Sequence, residues 1–520
     1  MSSRKKVQVN SETANPFQVF ISFLKEYGGY LILALFIILG FVIRSEGIFN
    51  NHVVFLFDNA RDYLYVKNIV IDHRIYLIGP SSGGLQGYFH GVLWYYLLTI
   101  PFILSHGNPL SGTIFMIIGS LASVVVTFIL MRKISNTYVA LLASLFFAVT
   151  FFSVATARFI WNPYPIVWLM PVYFYFVYKY FSEKSGFIWI ALISGLFLHF
   201  EAVFGVPMLF PFFILTAIEI YRKRVKQLLL GLLLFVLPMV PSLIFDLRHH
   251  LLIIGSIAKT FLTGGSTITH DNHAVPVATR FILRSQDLFT YTIGSLTTNN
   301  LVNILLTLVA LFSIKQQKRS FILFSIFVLI TPFILFLFMK YAVWSYYWIG
   351  ETPYFILLIS LLIGTLPKKT LAVIAIVVVF LFSGYFADLQ LHKNGYADEG
   401  SQTLSTELRV VDSIHKDAQQ QPFSFYVLTP AVYDYVYRYM YWWRGNTVYH
   451  YYPQQQKQHL AYLVIDPNPD DPEGNFFINH TLHMQTKPIK QWTIAGVKID
   501  KFITKENEEQ ADVNLFPPEY

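Results

Sequence analysis

Runs of about 15 to 21 mostly apolar residues recur along this 520-residue chain, and nothing else in it limits the fold so tightly. A helix needs about 20 such residues to cross hydrocarbon. Lipid offers no partner for a backbone N–H or C=O, so a run of that length crosses as a helix. The runs fall near 27–44, 111–131, 138–155, 164–181, 187–200, 204–221, 227–245, 300–314, 320–339, 350–366 and 369–386. They predict an all-α polytopic membrane protein with about eleven transmembrane helices. Composition agrees, with 55% hydrophobic and 13% charged residues against about 25% charged in soluble domains.

Charge orients these helices. Arg4, Lys5, Lys6 and Lys25 precede the first run, and Arg132–Lys133, Lys179 with Lys184, Tyr221–Lys226, Lys315–Arg319 and Lys368–Lys369 occupy alternate connections. Placing all of them in the cytoplasm satisfies the positive-inside rule, with the N-terminus inside. The net charge of +8 then reads as topology and contact with membrane lipids, not nucleic-acid binding. The alternation holds only if Leu93–Leu104 stays on one side. That run is short, is interrupted by Pro101 and is followed by Gly107, so we place it as an interfacial or re-entrant helix. An odd number of crossings leaves the C-terminal region outside. The N-terminal segment lacks a cleavable signal pattern. The absence of cysteine excludes disulfides, thiolate nucleophiles and Cys-ligated metals.

With that orientation the unusual polar residues gather on the outer side. Asp58, Arg61 and Asp62 follow the first span, Arg158, Trp161 and Asn162 the third, and His199 and Glu201 the fifth. Asp246, Arg248, His249 and His250 follow the seventh, and Lys340, Ser345, Tyr346 and Tyr347 the ninth. Each cation alone is explained by snorkelling to headgroups. The set together predicts convergence on one anionic ligand. Its centre is 51–96, where Asp58, Arg61 and Asp62 stand at i, i+3 and i+4, on one face of a helix. Such a triplet serves either as a structural clamp or as chemistry. Sugar transfer from a lipid phosphate requires a carboxylate to deprotonate or orient the acceptor hydroxyl. It also requires cations on the phosphate. Asp58 or Asp62 supplies the first, and Arg61, Arg158, Arg248 and Lys340 the second, because guanidinium forks match phosphate oxygens.

Other residues have two readings. His199, near a span end, is either a packed histidine or a ligand, and Glu201 pairs with an arginine across the cavity. Asp246 with His249 and His250 is a weak metal set, because adjacent histidines on a helix point to different faces. Gly83–Gly84 and Gly87 either let backbone approach a ligand or form a flexible turn. Trp161–Asn162–Pro163 breaks a helix, and Asn162 is positioned to bond a sugar hydroxyl. No metal or other cofactor is supported.

The region 387–520 is richer in charge, Gln, Asn and Pro. Strands are expected at FSFYVL, TVYHYY, AYLVID and GVKIDKF, and helices at 401–420 and 431–443. We read a small C-terminal α/β extracytoplasmic domain. Tyr433, Tyr435, Tyr437, Tyr439, Tyr441, Trp442 and Trp443 make its second helix aromatic on every face, which suits either packing at the membrane interface or stacking on sugar or prenyl chain. Asn479-His-Thr fits a glycosylation sequon. The expected layout is a tail over 1–26, a membrane module over 27–386 with its first external loop at 45–110, and the outer domain over 387–520.

Several segments resemble bacterial GT-C glycosyltransferases, the relatives of protein O-mannosyltransferases and lipid A aminoarabinose transferase. They are FDNARDYLYVK (57–67), LIGPSSGG (77–84), YFHGVLWYYLLTI (88–100) with Pro101, ARFIWNP (157–163), GLFLHFEA (195–202), LPMVPSLIFDLRHHL (237–251) and VWSYYWIGETP (343–353). The resemblance runs in order over about 27–390 and implies a GT-C fold. It also implies inverting transfer of a sugar from a polyprenyl-phosphate donor to a lipid, glycan or protein acceptor. It assigns acceptor activation to Asp58, a supporting role to Asp62, and donor phosphate to Arg248 and His249. Asn162, His199, Glu201, Asp246 and Tyr346 are expected on the substrate side. Two positions depart from the pattern. Phe197 stands where relatives have Gln, and Asn59 stands where many have Glu or Gln. The competing classes are a transporter or flippase for a lipid-linked saccharide and a non-catalytic assembly protein.

Overall fold

The computed structural model describes residues 16–82, 87–263, 275–339, 343–366, 369–393, 400, 402–428, 434–454, 456–465 and 482–505. Lys340, Gly83, Gly84, Tyr433 and Asn479 lie outside the described residues.

The chain opens with α1 (Pro16–Ser45) and α2 (Phe57–Val70), a hairpin of β1 (Ile78–Ser81) and β2 (Phe89–Gly91), and α3 (Leu93–Leu104). Next come α4 (Leu110–Ile134), α5 (Thr137–Val149), α6 (Phe151–Ala157), α7 (Pro165–Glu183), α8 (Phe187–Phe200) and α9 (Ala202–Tyr221). Then follow α10 (Val225–Val236), α11 (Val240–Arg248), α12 (Leu252–Thr263), α13 (Val277–Tyr291), α14 (Asn300–Leu311) and α15 (Arg319–Phe338). The membrane part ends with α16 (Glu351–Gly364), α17 (Lys369–Val379) and α18 (Tyr385–Lys393). Beyond it lie α19 (Leu404–Ala418), β3 (Phe423–Leu428), α20 (Tyr435–Arg444), β4 (Leu460–Ile465), β5 (Lys490–Ile494) and β6 (Val497–Ile503).

This is a multi-pass helical membrane protein. Among the described residues seven helical stretches are long and apolar enough to cross, or nine if each of two bent pairs counts once. The bends are 56° between α5 and α6 and 79° between the α13 and α14 segments. Twelve residues of α3 reach only about 18 Å at 1.5 Å per residue, short of the roughly 30 Å of hydrocarbon. α8 (Phe187–Phe200), expected to cross, is short as well, with fourteen residues that reach about 21 Å. α13 was not foreseen, since its apolar positions alternate with Arg280, Arg284 and Asp287.

Close packing needs small residues at crossings. A Cβ on Gly195 of α8 would stand 2.2 Å from the Phe235 carbonyl oxygen of α10, so glycine sets that approach. The core also contains a charged group. Arg44 of α1 is fully buried and donates to Ser120 Oγ and to the carbonyls of Gly40, Ala148, Phe147 and Ser153. It thereby satisfies carbonyls that the α5–α6 break leaves without helical partners. At the far end of the bundle the basic connections meet. Arg224 donates to the Lys184 carbonyl, and Lys318 to those of Phe181 and Ser182.

The C-terminal region carries a four-stranded sheet in the order β3-β4-β6-β5. β3 and β4 are parallel, and the other pairs are antiparallel. Three of the expected strands are present. TVYHYY is not a strand but a π-turn over Gly445–Tyr449 and an irregular stretch. Its rings win over β-propensity, as Tyr449 stacks on buried His415 at 4.2 Å and Tyr451 meets the same ring edge-on. The missed strand is β5, joined to β6 through Ala495 and Gly496, both at positive φ, as a tight hairpin turn requires. The C-terminal region is tied to the first loop. Phe55 N–H donates to the Gln402 carbonyl, and Leu404 and Ser405 N–H groups donate to Val53 and Asn51. α20 packs on α2.

Candidate active site

The site is built around α2. Its start is fixed by Asn59, whose Oδ1 accepts from the Leu56 N–H at 2.6 Å while its Nδ2 donates to the Ile160 carbonyl at 2.5 Å. The position that departs from the GT-C pattern therefore caps this helix and holds it to the 158–164 connection. Asp58 lies in the first turn, where the helix dipole favours a carboxylate.

Arg61 joins both acids. Its Nη1 stands 2.6 Å from Asp58, and its Nη2 and Nε reach Asp62 Oδ1 at 2.7 and 3.0 Å. The second Asp62 oxygen accepts from the Trp94 indole of α3 at 2.7 Å. Burial pushes the Asp62 carboxyl up to about 6, against the pull of Arg61. Burial disfavours charge on Arg61 as well, but Asp62 and Asp58 more than offset it and hold the guanidinium charged. The two acids differ in access. Asp58 keeps 21% of its side-chain surface and Asp62 none.

The β1–β2 hairpin closes over this array. His199 of α8 accepts from the Leu93 N–H through Nε2 at 2.9 Å, so that nitrogen carries the lone pair. Gly91 makes the approach possible, because a Cβ there would meet the imidazole at 2.0 Å. His90 is buried between Arg61 and His199, and burial, then those two neighbours, drives it down to about 3, so it stays neutral. Glu201 is buried too and caps α9 by accepting from the Val203 N–H at 3.1 Å. Burial lifts its carboxyl to about 8 against that hydrogen bond, so it is an acid at neutral pH. Tyr88 of the hairpin lies within its field. Tyr346 senses both Glu201 and Asp58, and packs edge-on to Trp161 at 4.6 Å.

Asp58, Arg61, Asp62, His199, Glu201 and Tyr346 thus fall in one neighbourhood, with His90 and Trp94 added to it. Neither addition was singled out, although both sit in the YFHGVLWYY segment. Asn162, Arg158 and Asp246 bond backbone groups of the framework. Asn162 donates to the Phe200 carbonyl at 2.7 Å. Arg158 is buried and donates through Nη1 to the Arg44 and Glu46 carbonyls, both at 2.6 Å, where a phosphate contact was expected. Asp246 is buried and caps α12 by accepting from Ile253 and Ile254 N–H groups at 2.6 and 3.4 Å. Arg248 is exposed, and His249 stacks on Phe245 at 3.9 Å. Phe245 in turn meets Phe89 of β2, which sets this end of α11 beside the hairpin.

A cavity of 520 Å³ opens beyond the Trp161–Tyr346 pair. It is lined by hydroxyl and aromatic side chains, among them Thr150, Thr156, Tyr291 and Thr297, and by no charged side chain. Among the described residues the convergent metal-ligating group is Glu46, Asp388 and His392, at the end of α1 and on α18. Asp246, His249 and His250 form no such group.

No protein-family profile matches the sequence, and no curated protein does. Solved structures do match. ArnT from Cupriavidus metallidurans bound to undecaprenyl phosphate aligns over 91% of this chain and 97% of its own, with TM-score 0.58 and 11% identity. Its apo state aligns over 94% and 98%, with TM-score 0.56 and 12% identity. Identity this low speaks to architecture alone, and the architecture covers nearly the whole of both chains. The chain therefore shares the overall fold of ArnT, a helical multi-pass membrane architecture followed by a C-terminal region that carries the sheet.

Proposed function

We propose that this chain is an inverting glycosyltransferase that moves a sugar from a polyprenyl-phosphate donor to an acceptor hydroxyl on the outer face of the membrane. The observation that carries the reading is the Asp58–Arg61–Asp62 array. One reachable carboxylate is held by a fixed cation, which a buried second carboxylate anchors. In the reaction the acceptor oxygen attacks the anomeric carbon from the face opposite the phosphate. The carbon–oxygen bond to phosphate breaks, polyprenyl phosphate leaves, and the acceptor proton passes to Asp58. Arg61 steadies Asp58. Asp62 is a positioning residue, aided by Trp94. Arg248 and His249, beside the hairpin, receive the donor phosphate together with Lys340. Glu201 and Tyr346 offer O–H groups to sugar hydroxyls, and the 520 Å³ cavity takes uncharged saccharide. Its lining suits sugar, because aromatic faces cover C–H surfaces while hydroxyls meet hydroxyls.

The basic connections at the opposite end support a cytoplasmic N-terminus and an outer C-terminal region. A flippase for a lipid-linked saccharide would use the same basic and aromatic groups without needing a proton acceptor. The test uses purified protein with a panel of labelled polyprenyl-phosphate sugars. Asp58→Asn is expected to abolish transfer while leaving thermal unfolding unchanged. Retained transfer would refute the assignment. No transfer by wild type, with vesicle assays showing lipid-linked saccharide translocation, would favour the flippase.

A further inference from the structure

The 520 Å³ cavity beyond Trp161 and Tyr346 has a wall richer in hydrogen-bond acceptors than in donors. Thr156, Ser295, Thr352 and Ser383 donate their hydroxyl protons to the carbonyls of Phe152, Thr292, Tyr291 and Leu296. Thr297 donates its own to Asn303 Oδ1. The backbone there is committed as well, since the Ser295, Leu296 and Thr297 N–H groups donate to the Thr292 carbonyl, the Ile293 carbonyl and the Asn303 side chain. A hydroxyl has one proton and two lone pairs. Those five hydroxyls therefore have only lone pairs left to offer.

Such a wall selects its ligand. Ionised carboxylates and phosphates only accept, and among the described residues no cation lines the cavity to receive them. An ammonium group brings donors, but no carboxylate lines the cavity either, and a charge taken out of water without a partner is costly. The ligand that fits is neutral and brings donors of its own. Trp161, Tyr164 and Tyr291 add ring surface, which suits the C–H faces of a pyranose beside its O–H groups. The volume falls inside the roughly 300–1,000 Å³ of ligand pockets.

Position gives this ligand its role. Tyr346 borders the cavity and lies in the field of Asp58. Arg248 and His249, proposed above for the donor phosphate, stand beside the hairpin, where Phe245 meets Phe89. No residue of the hairpin or of α11 lines the cavity. An inverting displacement needs acceptor and leaving phosphate on opposite faces of the anomeric carbon. We propose that this cavity holds the acceptor, and that the acceptor is an uncharged glycan. The assignment rests on the transfer reaction proposed above and narrows its acceptor to one chemical class.

The test uses the full chain in lipid nanodiscs, free of glycoside detergent, with Asp58→Asn so that nothing is turned over. Binding is measured for labelled neutral, phosphorylated, uronic-acid and amino-sugar oligosaccharides, each offered free and as a glycolipid. We expect neutral members to bind and charged ones to fail, and the stronger of the two forms identifies the source of the acceptor. Thr156→Val and Ser295→Ala each remove one lone-pair donor, and each should weaken neutral-glycan binding by about 2- to 12-fold, the range of one lost hydrogen bond. Undecaprenyl phosphate binding by the same variants should be unchanged, which shows that they are folded. Undecaprenyl phosphate should also leave the glycan in place. Charged glycans binding as well as neutral ones, displacement of the glycan by undecaprenyl phosphate, or full affinity in both variants overturns the proposal. Binding is read without donor, so wild type that transfers sugar to a simple alcohol yet binds no neutral glycan refutes this acceptor while the transferase reading stands.

Discussion

The Trp94 indole N–H donates to Asp62 Oδ2 at 2.7 Å, and Asp62 turns its other oxygen to Arg61. The hydrogen bond joins α3, a helix too short to cross the membrane, to the helix that carries the proposed acceptor-activating acid. It also explains why an acid with no exposed surface is tolerated, since both oxygens are satisfied.

Trp94→Phe keeps the ring and removes the donor. A hydrogen bond to a charged group contributes roughly 1.5–3 kcal/mol, so thermal unfolding should show a loss of that order. Arg61 should then lose its fixed pose, and transfer should fall more than substrate binding does. Steady-state rates with labelled donor check this. A variant as stable and as active as wild type would show that Asp62 is held by Arg61 alone.

Glu201 makes stability depend on pH. Its folded value of about 8 lies above the ordinary 4.5, so the folded state holds a proton that the unfolded state releases. The stabilising contribution is complete below about pH 4 and is lost as pH rises toward 8. Glu201→Gln removes that slope. Unfolding temperatures of wild type and variant, compared from pH 5 to 9, should converge at low pH and separate in favour of the variant at high pH. Parallel curves would count against a buried neutral acid at this position.

Much of this was legible in the sequence, and the reasons are specific. Long apolar runs have one solution in lipid, so the helical class could be read directly, while the number of crossings could not, because bent pairs and the short α8 look like full spans in sequence. Asp58, Arg61 and Asp62 could be read because helical spacing places them together. Arg158 and Asp246 were harder to read, because a charged residue at a span end looks the same whether it meets a ligand or a backbone group. Arg158 donates to carbonyls at and just beyond the end of α1, and Asp246 accepts from N–H groups of α12. Asn59, read as a gap in a family pattern, is the cap of α2. In the TVYHYY segment, tertiary stacking on His415 overrode strand propensity.

Gly91 is predicted to be intolerant of substitution. The alanine Cβ would stand 2.0 Å from the His199 ring, closer than any van der Waals contact. Relief requires β2 to lift or His199 to turn, and either movement breaks the 2.9 Å hydrogen bond from Leu93. Overpacking of this kind costs about 1–3 kcal/mol. Gly91→Ala should lower Tm and depress transfer. The double change with His199→Ala should recover stability without recovering activity.

The last prediction concerns how far the C-terminal region governs the site. Tyr439 of α20 is fully buried, donates to the Gly107 carbonyl at 2.6 Å, and packs its ring edge-on to Tyr63 of α2 at 5.2 Å. Tyr63 lies one residue beyond Asp62, so the aromatic helix bears on the element that aims the acids. That contact supports the packing reading of its tyrosines over a sugar platform, because Tyr437, Tyr439 and Tyr441 are buried. Tyr439→Phe removes only the hydroxyl and should cost about 1 kcal/mol, with transfer near wild type. Tyr439→Ala also opens a cavity beside Tyr63, at about 3–5 kcal/mol, and frees α2 to shift. Its transfer rate should fall through kcat with donor KM little changed, since the groups proposed to bind phosphate lie elsewhere. A rise in donor KM as the main effect would instead place this helix against the lipid-linked sugar.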